Sequence, residues 1–317
     1  MNNKEKYRNL CQEEHIPLFS QAWWLDAVCG YDNWDVCLIE KGGQVMASMP
    51  YFVRRAYGFD MIQQPPLTQN SGPWIRPSKA KYAKRLGQEK DLMQALIAEL
   101  PKYDYFIQNW HHSKQNWLPF YWAGFKQTTR YTYILENLEK LDDVWSGLQA
   151  NIRTDIRKAT DKFNLVVRDD ISMERFIDLN KATFARQGLS LPYSTEFAKN
   201  IERQTSKRNN SKVFVAEDKE GRLHAGVFIV WDEHSAYYLM SGGDPELRNS
   251  GATSLLLWHS IQFASTVTKQ FDFEGSMIEP VERFCRGFGA IQTPYFSISK
   301  SQSRFLPLLM KIKSLTG

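Results

Sequence analysis

Residues 236–264, AYYLMSGGDPELRNSGATSLLLWHSIQFA, constrain the fold of this chain more than any other stretch. Ala236–Ser241 is a short aromatic and apolar run, the pattern of a buried strand. Gly242 and Gly243 are expected to break it, after which Ala252, Leu255, Leu256 and Ile261 fall on one face of a helix. A strand, a turn of small residues and a helix start make an anion site. The first N–H groups of a helix lack partners, and the helix dipole favours negative charge there. In Arg248-Asn249-Ser250-Gly251-Ala252-Thr253 the glycine lets the backbone approach a ligand, and Arg248 adds a positive charge. An ordinary strand-to-helix turn, with a glycine that merely ends the strand, is the competing reading of so short a motif.

A length of 317 residues suggests two domains. A hydrophobic content of 43%, with 14% aromatic residues, supports packed cores and excludes a disordered chain. The net charge of +5 is spread along the chain; it suits an anionic cofactor or a membrane surface and does not call for nucleic acid. Cys11, Cys29, Cys37 and Cys285 have neither CxxC nor metal-finger spacing, so reduced thiols in a cytoplasmic protein without a metal are expected. The polar N-terminus lacks a signal-peptide core, and no run approaches the ~20 apolar residues of a membrane span.

Along the chain, Phe19–Val28 reads as a helix capped by Ser20. Trp34–Ile39, Lys41-Gly42-Gly43 and Gln44–Arg54 form a hairpin pattern. Residues 65–74 are a loop, Lys79–Leu100 a helix, Asp104–Trp110 and Thr128–Leu135 strands, with a short helical piece at Asn116–Trp122. A polar stretch at Asn137–Asp143 sets the expected boundary between domains 1–136 and 137–303. Beyond it one helix carries an apolar stripe of Trp145, Leu148, Ile152, Ile156 and Phe163. Its other face is basic, with Arg153 and Arg157 one turn apart beside Lys158 and Lys162; it either holds an anionic substrate or is a solvated face. Helices at Met173–Arg186 and Ser194–Gln204 precede a hairpin of Lys212–Glu217 and Leu223–Trp231. Phe271–Glu274 and Thr293–Ser299 read as strands around a short helix, Glu279–Cys285.

The chain also repeats itself. Residues 119–133, PFYWAGFKQTTRYTY, and 282–296, ERFCRGFGAIQTPYF, both place an aromatic three residues before Gly-Phe and follow with Gln-Thr and an aromatic strand. Each lies downstream of a strand opening on Asp and an aromatic, Asp104-Tyr105 and Asp272-Phe273. Two copies of one α/β unit account for this most simply, with the phosphate turn confined to the second.

The order of the second half, helices, hairpin, strand, Arg-x-x-Gly turn, helix, strand, short helix, strand, resembles the GNAT acyltransferase fold. Two such units in tandem, with NIRTDIRKA, FDFEGS and RFCRGFGA, look like the FemABX family and its FemAB-like acyltransferase relatives. The resemblance implies an α/β fold of mixed sheets in two tandem GNAT-like domains. It implies that Arg248, Asn249, Ser250, Gly251, Ala252 and Thr253 bind the pyrophosphate of acyl-CoA, although Thr253 stands where the family has Gly or Ala. The implied reaction moves an acyl group to an amine of a cell-envelope or polysaccharide precursor, a small or lipid-linked acceptor. Transfer from aminoacyl-tRNA, as in FemABX peptidyltransferases, and a silent CoA-binding module are the alternatives. Where that family has Phe-Lys before Gly-Phe-Gly, this chain has Phe284-Cys285, flanked by Arg283 and Arg286 as possible electrostatic substitutes.

Amine attack on a thioester needs a base, oxyanion donors and a site for the donor's phosphates. Glu274 is the expected base, sharing a strand face with Asp272 at the strand's C-terminal end, unless it caps the next turn or pairs with Arg283. Tyr238 or Tyr237 is a candidate acid or oxyanion donor, since only one of the two escapes the core. Cys285 is a candidate nucleophile, against the commoner role of a small buried residue. Finally, residues 304–317 begin RFLPLLMKIKSL, an expected amphipathic helix that either lies on a membrane surface or packs on the protein itself.

Overall fold

The computed structural model describes residues 1–56, 58–303 and 306, and the amphipathic C-terminal helix expected from Arg304 lies outside these. The chain forms two compact units, Met1–Arg130 with the described residues from Pro294 on, and Tyr131–Thr293. The expected boundary at 136/137 thus falls within the second unit, and residues 294–303 join the first.

The first unit contains α1 (Asn3–Glu13), α2 (Ala22–Cys29), β1 (Trp34–Lys41), β2 (Gln44–Ala56), β3 (Phe59–Gln63), β4 (Trp74–Ile75), α3 (Tyr82–Ala98), β5 (Tyr105–Asn109), α4 (Leu118–Trp122) and the start of β6 (Lys126–Leu135). Asn2 and Glu5 close α1 with a reciprocal capping box. Ser20 is not the cap of α2: it ends a 3-10 turn, and α2 starts after Gln21 without a side-chain cap. Alternation along β1 explains why helices cover both sides. Trp34 and Val36 join a core with Tyr7, Leu10 and Leu25, while Cys37 joins Met49, Met93, Leu96 and Phe106 on the opposite face.

The second unit contains α5 (Leu141–Gly147), α6 (Ala150–Arg157), β7 (Val166–Arg168), α7 (Met173–Arg186), α8 (Thr195–Ser206), β8 (Ser211–Glu217), β9 (Leu223–Trp231), β10 (Ser235–Gly243), α9 (Ala252–Ala264), β11 (Gln270–Asp272), α10 (Glu279–Arg286) and the first residues of β12 (Ile291–Ser301). Its strand order is β11-β10-β9-β8-β7, antiparallel except that β10 and β11 run parallel. The stripe read as one helix is two, broken at Leu148, with a π-helical turn at Lys158–Lys162; Leu148, Ile152 and Ile156 still enter one core, with Leu256, Ile261 and Phe271.

The repeat in the sequence has a structural counterpart. In the first unit the parallel strands β3 and β5 are joined through α3, and in the second β10 and β11 are joined through α9. Gly124-Phe125 follows α4, Gly287-Phe288 follows α10, and both phenylalanines are buried.

Candidate active site

The parallel pair β10–β11 is registered only from Ser235↔Gln270 to Tyr237↔Asp272. Beyond it β10 runs on to Gly243, while β11 ends, so Tyr238–Gly243 have no strand neighbour on that side among the described residues. A bulge between Tyr238 and Met240 shifts the register against β9 just where this edge opens. An extended ligand can hydrogen-bond such an edge as a missing strand would.

Gly242 and Gly243 belong to β10 and do not break it. A Cβ on Gly242 would lie 2.3 Å from the Asn180 nitrogen, so the glycine lets α7 cross the strand in direct backbone contact. Asn180 secures the crossing through its amide to the Ser241 carbonyl, and the Gly243 N–H donates to Thr183 Oγ1 over 2.9 Å.

Arg248–Ser250 form a 3-10 turn, and Gly251 caps α9 at φ +81°, a left-handed conformation. The reason for glycine there differs from the expected one. A Cβ would lie 2.2 Å from the Asp155 carbonyl oxygen, so Gly251 makes room for α6. The helix start itself faces a cavity of about 160 Å³, lined among others by Arg186, His224, Gly243, Arg248, Ala252 and Thr253. Arg248 and Asn249 are exposed, whereas Ser250 and Ala252 are buried. Arg186 and His224 escaped the sequence reading because they come from α7 and β9, far from the turn in the chain. The His224 ring is buried, with Nε2 3.0 Å from Asp218 Oδ2 and an edge toward Phe163.

At the end of β11 the expected strand face does not form. β11 stops at Asp272, and Glu274 sits at φ +58°, so the two acids do not alternate along one strand. A non-glycine residue in this region carries a strain of about 1–3 kcal/mol, and such strain gathers at functional sites. Asp272 holds the turn: its Oδ1 accepts from the Glu274 N–H over 2.7 Å and from Thr132 Oγ1. Burial pushes the Asp272 carboxyl up to about 6, against these two hydrogen bonds. Glu274 itself is half-buried.

Tyr237 is buried, and Tyr238, half-buried, is the more accessible of the pair, as expected. Burial raises the Tyr238 phenol, with a hydrogen bond to Ser241 opposing. Cys285 is buried and its thiol is pushed up to about 12, first by desolvation and then by Asp272. Burial and the raised thiol both disfavour the thiolate that a nucleophile needs. Arg286 Nε donates to Glu282 over 2.9 Å, and Tyr133 donates to the same carboxylate oxygen over 2.6 Å. Arg283 is exposed. Arg153, expected at a substrate, instead donates to the Leu148 and Ser146 carbonyls at the end of α5, and Arg157 is exposed.

These features have relatives. Residues 146–276 match the acetyltransferase (GNAT) domain family. No curated protein matches the sequence. FemX shares the fold at 12% identity and a TM-score of 0.67, over 93% of this chain and 96% of its own. The L-PGS structure from Bacillus licheniformis is similar at 12% identity and TM-score 0.57, covering 96% and 94% of the two chains. A tandem GNAT protein from the clavulanic acid biosynthesis pathway follows at 11% and 0.55, covering 95% of each. The chain therefore has a tandem GNAT fold. More particularly its fold is similar to that of FemX, and residues 146–276 in its second half match the GNAT acetyltransferase domain.

Proposed function

We propose that the second unit transfers an acyl group from acyl-CoA to an amine, and that the acceptor is a cell-envelope or polysaccharide precursor. The observation that carries the donor is the opened edge of β10 leading to the helix start of α9, with Arg186 and Arg248 beside it. An edge without a strand neighbour beyond Tyr237 suits the amides of a pantetheine arm, and a helix start with two guanidiniums suits a pyrophosphate. CoA supplies the activated thioester, and the chain's residues do the rest. In this reading Glu274 takes a proton from the ammonium, and the freed amine attacks the thioester carbonyl. Asp272 fixes the Glu274 backbone by accepting its N–H. Tyr238 protonates the sulfur as the carbon–sulfur bond breaks and recovers a proton from the nitrogen, which becomes the neutral amide. The FemX and L-PGS likenesses, which concern fold, motivate a search among envelope and lipid-linked amines.

The donor is tested by titration calorimetry of the full chain with CoA. Arg248→Ala and Arg186→Ala should each weaken binding by about tenfold, which is 1.4 kcal/mol. Equal affinity in both variants and the parent removes the donor assignment. Transfer of an amino acid that is abolished by ribonuclease, with no CoA binding, would install the aminoacyl-tRNA reading in its place.

A further inference from the structure

The first unit has a cavity of its own, about 520 Å³, between the end of the β1–β2 hairpin, β4 and its exit, α3, and the loop at residues 113–116. That volume lies within the ~300–1,000 Å³ common for small-molecule sites. Its lining combines apolar and donor groups. Met46, Ile75 and Leu92 present carbon, together with Met93, which belongs to the buried core. The same lining includes Lys114, Asn116 and Arg85.

Two of these groups lack what their chemistry requires. The Asn116 Nδ2 is buried and donates no hydrogen bond. The Lys114 ammonium is largely buried, which lowers its pKa, and the attraction of Glu89 opposes that shift. No hydrogen bond or ion pair within 4.0 Å reaches that ammonium among the described residues. A buried donor without an acceptor costs about 1–3 kcal/mol, and more when charged. The loop that carries both groups is itself held by hydrogen bonds. The Lys114 N–H donates to the His111 carbonyl over 2.9 Å, and Gln115 Nε2 donates to the His112 carbonyl over 2.6 Å. The loop therefore holds both donors at the cavity. Arg76, also in the lining, is already neutralised by Glu14. Lys41, Arg85 and Lys114 then stand against Glu89 and Asp91, so the lining has an excess of positive charge.

We propose that this cavity is a second ligand site, selective for a small amphipathic anion. A carboxylate or phosphate monoester group sits at Lys114 and Asn116, and an apolar chain or ring lies along Met46, Ile75 and Leu92. Each buried donor gains an acceptor, and the ligand's apolar part leaves water at about 25 cal/mol per Å². The site lies in the unit that lacks the Arg-x-x-Gly turn, so it is independent of the donor assignment.

The test uses the full chain and three probes of equal chain length: octanoate, octyl phosphate and uncharged 1-octanol. Isothermal titration and saturation-transfer NMR read the binding, with Lys114→Gln and Asn116→Asp beside the parent. At least one anion should bind with a Kd near or below about 1 mM, the −4.1 kcal/mol level, and 1-octanol should bind more weakly. Each variant should lose about tenfold in anion affinity, or 1.4 kcal/mol. The melting temperature of Lys114→Gln without ligand should hold or rise, since that variant removes a buried charge, and the CoA titration should be unchanged in both. A purely structural role predicts the reverse, a lower melting temperature. The carboxylate-to-phosphate affinity ratio identifies the preferred head group. No saturable binding of either anion, 1-octanol binding as tightly as both, or equal affinity in both variants each overturns the proposal.

Discussion

Gly251→Ala separates two explanations of the glycine in the Arg248–Thr253 turn. If the residue exists to let a ligand approach, the variant should fold normally and bind CoA poorly. The structure says otherwise, because the added carbon would meet the Asp155 carbonyl oxygen at 2.2 Å in a backbone at φ +81°. An alanine in the left-handed region costs about 1–2 kcal/mol. Displacing packed backbone to admit the methyl costs about 1–3 kcal/mol more. Loss of freedom in the unfolded chain returns about 0.4–1 kcal/mol. The net destabilisation is about 1–5 kcal/mol, with midpoints giving about 3. For a unit the size of Tyr131–Thr293 each kcal/mol is about 2–4 °C, so melting should fall by roughly 9 °C, within a range of about 2–18 °C. Differential scanning calorimetry of the full chain without ligand reads this directly, and Asp155→Asn, which keeps the carbonyl, serves as a control with little effect. A Gly251→Ala protein that melts within about 2 °C of the parent, with CoA affinity lost, would refute the packing argument.

Two further outcomes follow from burial. Cys285, with its thiol near 12, should resist iodoacetamide at pH 8 in the folded protein and react once the chain is unfolded in urea, as read by peptide mass spectrometry; rapid labelling of the native protein would restore it as a reactive group. Asp272, raised from 3.8 to about 6, binds its proton more tightly folded than unfolded. Its contribution to stability is therefore complete below the unfolded pKa and is lost as pH rises through about 6. Urea unfolding of the parent and Asp272→Asn between pH 4 and 7 should show the parent losing stability relative to the variant across that window, and parallel curves would contradict the assignment.

Much of the architecture is local in origin and was legible in the chain. The 3.6-residue period of Ala252, Leu255, Leu256 and Ile261 marks α9, and all four are buried. Ser194 caps α8 by accepting from the Phe197 N–H, as the serine before that apolar pattern suggests. The two Gly-Phe copies announce two units because each unit buries its own phenylalanine, Phe125 in one core and Phe288 in the other. β3 was missed, since Phe59–Gln63 is too short and too mixed to show a period. The site was legible only at its turn.

The sequence by itself determined the strand, turn and helix around Arg248, the tandem plan and the position of each glycine. Only the tertiary structure decided what those glycines are for. Gly242 and Gly251 admit the backbones of Asn180 and Asp155, contacts between residues far apart in the chain that no local pattern encodes. The same holds for charge. Arg153 and Arg157 look equivalent at helical spacing, yet one caps the end of α5 and the other faces water. Cys285 and Asp272 acquire their proton affinities from burial, a property of the packed unit and not of the residue. Periodicity reports which face of an element is apolar; which backbone, carboxylate or guanidinium meets that face is fixed only when distant segments pack.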